Sequence, residues 1–164
     1  MCFPHGACSG GSCGGRGCCR ATFNPSLIRA AYNGRMEKDF TEWHRVKQEI
    51  QDHNQHLFVG EREVRWCFVG LNVGSEMDGS GAHYTRPVLI IKKTTPNTCL
   101  CIPLTTKQRQ GPDFFETDLG DGVFRKAILS QIKLIDTKRL REVITIIDDD
   151  QFQKIKRAVI DMLE

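Results

Sequence analysis

What this 164-residue chain has little of narrows its function first. No apolar run approaches the roughly 20 residues that a bilayer-spanning helix needs, so no membrane partner is expected. The first residues lack the basic stretch followed by an apolar one that marks a secretory signal, and the cytoplasm is the expected location. Net charge is small: 23 Lys and Arg stand against 20 Asp and Glu. A balance of +3 neither marks a polyanion partner nor repels one, so the distribution of charge has to decide. No CxxC pair occurs, although the chain has eight cysteines. Five of them, Cys2, Cys8, Cys13, Cys18 and Cys19, fall near the amino terminus at spacings unlike those of zinc ligands, so neither a metal nor a cofactor is expected. Cys67, Cys99 and Cys101 lie on strand-like segments and read as buried, reduced thiols rather than a disulfide framework.

The length fits one globular domain with appendages. Residues 1–35, rich in Gly, Ser and Cys, have almost nothing to bury and read as a disordered leader, and Met36 is a second candidate start. An amphipathic helix is expected within residues 36–58, with Phe40, Trp43, Lys47 and Ile50 at helical spacing. Its stripe is first of all a packing device. From 59 to 164 the texture changes to short β-rich runs divided by Gly, Pro, Asn and Asp, with strands expected at 64–69, 87–92, 98–104, 114–117, 123–129 and 143–147. This is the pattern of a small barrel or sandwich, mainly β, with a helical turn near 137–140. A terminal helix follows Asp148, Asp149 and Asp150, which supply a cap and favourable charge, and Phe152, Ile155, Val159 and Met162 or Leu163 form its inner stripe.

The chemistry concentrates between Glu63 and Thr106. There, apolar runs end in polar clusters at Gly74-Ser75-Glu76, at Arg86 and at Thr105-Thr106. A carboxylate, a guanidinium and two hydroxyls sharing one pocket would suit RNA cleavage through the 2′-hydroxyl, which needs a base, an acid and donors for the phosphorane's charge. Arg86 suits the last role, because its planar fork of donors matches phosphate oxygens. Pro87 biases it toward extended geometry. Thr105 and Thr106 would face opposite sides of a continuing strand, so only one hydroxyl reaches the pocket. For the base, Glu76 and His83 both stand open.

In this order and spacing, GLNVGSE, TRPVLII, CLCIPLTT and SQIKLIDTKRL closely resemble the MazF/PemK family of toxin endoribonucleases, over roughly residues 61–163. The resemblance implies an SH3-like small β-barrel with an N-terminal and a C-terminal helix. It also implies a homodimer, metal-independent cleavage of single-stranded RNA at short sequences, and inhibition by a cognate antitoxin. Carried onto this chain, the family's arginine falls on Arg86, its catalytic threonine on Thr105, the acidic residue of its GSE turn on Glu76, and a motif glutamine on Gln131. Ser130 replaces the acidic residue that many relatives carry beside that glutamine. The loop at 77–85 is several residues longer than in typical members, and the helix before the β domain has no counterpart in the short ones.

That loop suggests where bases are read. Single-stranded RNA is recognised by stacking on aromatic planes and by bonding to exposed base edges, which makes Tyr84 the stacking candidate. His83, Thr106, Lys107 and Gln131 complete the expected RNA-binding set, while Arg109, Arg125 and Lys126 are candidates for a backbone groove. The acidic stretch around Glu116, Asp118 and Asp121 is expected outside it. Two other readings are a toxin of this fold that binds a protein target, as the gyrase-poisoning CcdB relatives do, and a catalytically silent RNA-binding domain.

Overall fold

In a computed structural model of the protein, residues 38–53 and 57–164 are described. The expected leader at 1–35, the candidate start at Met36 and the amino-terminal cysteines lie outside them.

Two strands form the centre, β2 (Thr85–Thr95) and β3 (Thr98–Thr105), joined by a tight turn at Pro96-Asn97. Unlike the edge strands, they are apolar on both faces. Val88, Ile90, Cys99 and Cys101 point into one core, while Leu89, Ile91, Ile102 and Leu104 point into another. The period of two in side-chain direction makes this possible, and it explains why these segments read as continuous hydrophobic runs.

Strand β1 (Glu63–Phe68) pairs antiparallel with β2, and β7 (Leu140–Ile146) pairs with the other edge of β1. On the far side of β3, the short β6 (Lys133–Asp136) covers its first half and β5 (Arg125–Ile128) its second, with β4 (Phe114–Thr117) beyond β5. The order along the sheet is β4-β5-β3-β2-β1-β7, with β6 attached to β3. The expected barrel is therefore not closed by hydrogen bonds. Strands β6 and β7, at the ends of the run β6-β3-β2-β1-β7, are joined covalently through the 3-10 turn Thr137–Arg139. Strand β6 was not anticipated in the sequence, because four residues with Leu134 facing out carry too little alternation to register as a strand.

Helix α2 (Asp149–Leu163) packs Phe152, Ile155 and Val159 onto the core of Leu89, Ile102 and Leu104, with the Asp148 carboxylate accepting from the Gln151 N–H at its start. The second core holds Cys67, Cys99 and Cys101 as free, buried thiols. Burial pushes the Cys67 thiol up to about 12 and Cys99 to about 11. A third apolar cluster lies under helix α1 (Phe40–Asp52). This helix is shorter than the expected span, since Asp39 caps it by accepting from the Glu42 N–H and His53 leaves it in an extended conformation. Its inner stripe is Trp43, Val46 and Ile50, with Phe40 and Lys47 on the outside. Among the described residues no helix is long and apolar enough to cross a membrane.

Two outcomes test this packing. Phe152→Ala is expected to cost about 3–5 kcal/mol, read as a lower urea midpoint with an unchanged slope. The thiols set a pH dependence. The folded chain keeps protons that the unfolded chain sheds above the ordinary thiol value of 9.0, so their contribution is complete below pH 9.0 and is lost as pH rises toward 12. The stability advantage of the parent over Cys67→Ala is expected to shrink across that window, as followed by urea unfolding.

Candidate functional site

The strand register creates the site. Cys67 pairs with Arg86, Thr105 pairs with Lys126, and Lys126 pairs with Glu116. Between β2 and β3, Val88 pairs with Pro103 and Leu89 with Ile102, and carrying that register two residues further sets Arg86 opposite Thr105. Directly opposed residues share a face of the sheet. Cys67, Arg86, Thr105, Lys126 and Glu116 thus form one cross-strand row at the open end of the thiol-lined core.

Arg86 is half-buried and held at two points. Its Nε donates to the Asp78 carbonyl at 2.8 Å and its Nη1 to the Leu104 carbonyl at 3.4 Å. Of the five guanidinium N–H groups two are thereby used, which leaves three for a ligand. Desolvation lowers the Arg86 pKa from its ordinary value, the Asp78 carboxylate opposes that shift, and Arg109 adds to it. An arginine remains cationic under such pressure. Thr105 is 5% exposed, and its Oγ1 accepts from the Lys107 N–H at 3.2 Å. Among the described residues its own O–H has no acceptor, so that proton can be donated to a ligand.

The long β1–β2 connection folds over this end as two consecutive turns. The first is closed by Asn72, which donates through Nδ2 to the Met77 carbonyl at 2.7 Å, and the second by a Ser80–Thr85 bridge. Gly79 donates to the Gly70 carbonyl at 2.7 Å, and Gly70 donates to the Tyr84 carbonyl at 3.0 Å. Both glycines are required. A Cβ on Gly79 would sit 1.8 Å from the Tyr84 carbonyl oxygen, and one on Gly70, whose φ is +84°, would sit 2.1 Å from the Trp43 ring. Gln131 pins the loop from across the chain, accepting from the Met77 N–H at 3.0 Å.

The sequence-derived candidates separate on this frame. Arg86, Thr105 and Gln131 gather at one end, Gln131 as a tether of the loop. Glu76 stands exposed on the loop, with neither an ion pair nor a side-chain hydrogen bond among the described residues. His83 lines a groove of about 530 Å³ between α1 and β7. Tyr84 is turned from a free stacking platform, because its ring meets Trp43 edge-on, with centroids 5.7 Å apart and planes at 67°. Thr106, Lys107 and Arg109 are exposed next to Thr105. Lys126 is committed instead to structure, donating to the Arg109 carbonyl at 2.9 Å and facing Glu116 at 3.4 Å, while Arg125 is paired with Asp121 at 2.7 Å. Glu116, expected outside the groove, stands in the row itself. Sequence reasoning missed Lys38 and gave no role to Asp78. A lysine ahead of a helix and a loop aspartate carry no local signal that they meet. Among the described residues no group of three or more His, Cys, Asp or Glu side chains gathers as a metal site.

Comparison with solved structures returns the same architecture. An endoribonuclease in complex with its cognate antitoxin from a mycobacterial species aligns with a TM-score of 0.51 at 17% identity, covering 65% of this chain and 95% of that one. MazF from Deinococcus radiodurans aligns with a TM-score of 0.53 at 16% identity, over 65% and 98% respectively. At such identities the likeness establishes the fold. Comparison with curated proteins by sequence finds no match. Residues 62–163 match the family described as PemK-like, MazF-like toxin of type II toxin-antitoxin system, a span that holds every strand of the sheet and helix α2. The chain belongs to the PemK-like, MazF-like family of type II toxins.

Proposed function

We propose that this toxin is an endoribonuclease that cleaves single-stranded RNA by metal-independent transesterification, with Arg86 and Thr105 as its phosphate-binding pair. The observation that carries the reading is the register that opposes these two residues at one open end of the sheet, with unspent donors on both. Arg86 would hold the non-bridging oxygens of the scissile phosphate through its Nη groups as negative charge builds in the phosphorane, and Thr105 would donate its O–H to the same group. Donors fixed before reaction are the main source of such stabilisation.

The 2′-hydroxyl attacks phosphorus and loses its proton to a base, the P–O5′ bond breaks, and the leaving 5′-oxygen gains a proton. The products are a 2′,3′-cyclic phosphate and a 5′-hydroxyl. Glu76 is the base in this reading, since the next residue is tied to the site's end by Gln131, whereas His83 faces α1. Exposed Thr106, Lys107 and Arg109 extend the donor surface along the RNA backbone. The setting is the cytoplasm, where RNA is the available polyanion, and a cognate antitoxin and a homodimeric assembly complete the proposal.

The test is cleavage of a long unstructured RNA by antitoxin-free protein in EDTA. Arg86→Ala is expected to lower kcat roughly a hundred- to a thousandfold, the scale of a lost transition-state donor. Arg86→Lys is expected not to restore it, because an ammonium can neither present a planar fork nor reach the Asp78 carbonyl through an Nε. RNA left intact by the parent protein would overturn the reading.

A further inference from the structure

Helix α1 and the lysine that precedes it lie outside the span matched to the toxin family, yet they bear on the loop over Arg86. Lys38 Nζ donates to the Asn72 carbonyl at 2.7 Å and forms an ion pair with Asp78 Oδ2. The other oxygen of that carboxylate, Oδ1, accepts from the Asn72 N–H at 2.7 Å. The backbone carbonyl of the same Asp78 is the acceptor that holds Arg86 Nε. One residue therefore has its side chain fixed by Lys38 and its main chain fixed to the phosphate-binding arginine. Trp43 acts alongside, its ring filling the space left by the missing side chain of Gly70 and meeting the edge of Tyr84, so both stems of the loop are packed on α1.

The helix is anchored at its other end too. Lys138 Nζ donates to the Gln51 carbonyl at 2.8 Å in the last turn of α1, while at the first turn the Arg139 guanidinium lies 5.6 Å from the Trp43 ring. A helix held at both ends is a brace that can restrict a loop packed on its first turn.

We propose that Lys38 and Trp43 are positioning residues for Arg86, acting through Asp78 and the loop at 70–85, so that the appended helix is part of the machinery that aims the guanidinium. This rests on the catalytic reading of Arg86 above. The direction is alignment rather than blockade. Asp78 takes the Nε–H and Leu104 one Nη1–H, which leaves the Nη2 end and the second Nη1–H open to a phosphate. Without the Lys38 ion pair, Asp78 would keep its carbonyl and its bond from the Asn72 N–H but lose the charged partner on its other oxygen, and Arg86 would sample orientations in which the open donors miss the phosphate.

The experiment follows Lys38→Met in the full chain with two independent readouts. The first is the 1H–15N signal of Arg86 Nε, identified by its absence in Arg86→Ala. In the parent it is expected to be protected from exchange with solvent, as a bonded N–H is, and in Lys38→Met to broaden or exchange at least tenfold faster, with the unfolding midpoint unchanged. The second is RNA cleavage. Lys38→Met is expected to lower kcat by roughly ten- to a hundredfold with little change in KM, the scale on which loss of orientation acts, and Lys38→Arg to recover most of it. In an Arg86→Ala background, Lys38→Met should have no further effect. An unaltered Nε signal in Lys38→Met would overturn the proposal, as would an altered signal with undiminished kcat in an active parent. If the parent cleaves no RNA yet the Nε signal responds, the brace stands and the catalytic reading falls.

Discussion

The structure depends on one antiparallel pair, β2 against β3, buried on both faces. That pair divides the interior into two cores, one under α2 and one lined by the thiols. It also fixes, through a period of two, that Arg86 and Thr105 point the same way. A slip of one residue between these strands would turn every buried side chain to the wrong core and part the two polar residues. Stability and site geometry thus share one register, and the apolar residues that enforce it need not touch any substrate.

Around that pair, loose ends are tied by single polar residues spending several hydrogen bonds at once. Arg65, 8% exposed, bonds Glu63 at 2.6 Å, the Arg141 carbonyl at 3.1 Å and the Phe58 carbonyl at 3.0 Å, so one guanidinium clamps β1, the irregular β7 edge and the segment entering the sheet. Lys126 does the same for the loop after β3, and Asp78 for the loop before β2. Each is a partly desolvated charge whose donors or acceptors are met by fixed partners, which is the condition under which such burial is tolerated. The loop over Arg86 owes its shape to these ties, to two glycines and to the packing of Leu71 and Tyr84 under α1.

The sequence made β2, β3 and α2 legible, because each carries a strong periodic or continuous apolar signal. The buried state of Cys67, Cys99 and Cys101 followed from the strands they sit on. Arg86 and Thr105 were legible as candidates from the chemistry of their residue types beside apolar runs and from the resemblance to known toxins, and the register sets them opposite each other. What stayed hidden was pairing across distance. Gln131 meets Met77, and Lys38 meets Asp78, with nothing local to signal either contact. Tyr84 looked like a free aromatic on a glycine-rich loop, and only Trp43, 41 positions earlier in the chain, explains why its ring is engaged. The four-residue β6 was too short to carry a pattern, and an open sheet joined through a 3-10 turn cannot be told from a closed barrel by strand count.

In the proposed reaction, Arg86 and Thr105 stabilise a phosphorane formed by the RNA's own 2′-hydroxyl. The chemical ends of the products test it most directly. Fragments carrying 2′,3′-cyclic phosphate and 5′-hydroxyl termini, formed in EDTA from a ribonucleotide substrate and absent from its 2′-deoxy counterpart, are what the account predicts. Fragments with 3′-hydroxyl and 5′-phosphate ends, or equal cutting of the deoxy substrate, would contradict it, since neither outcome can pass through attack by the 2′-hydroxyl.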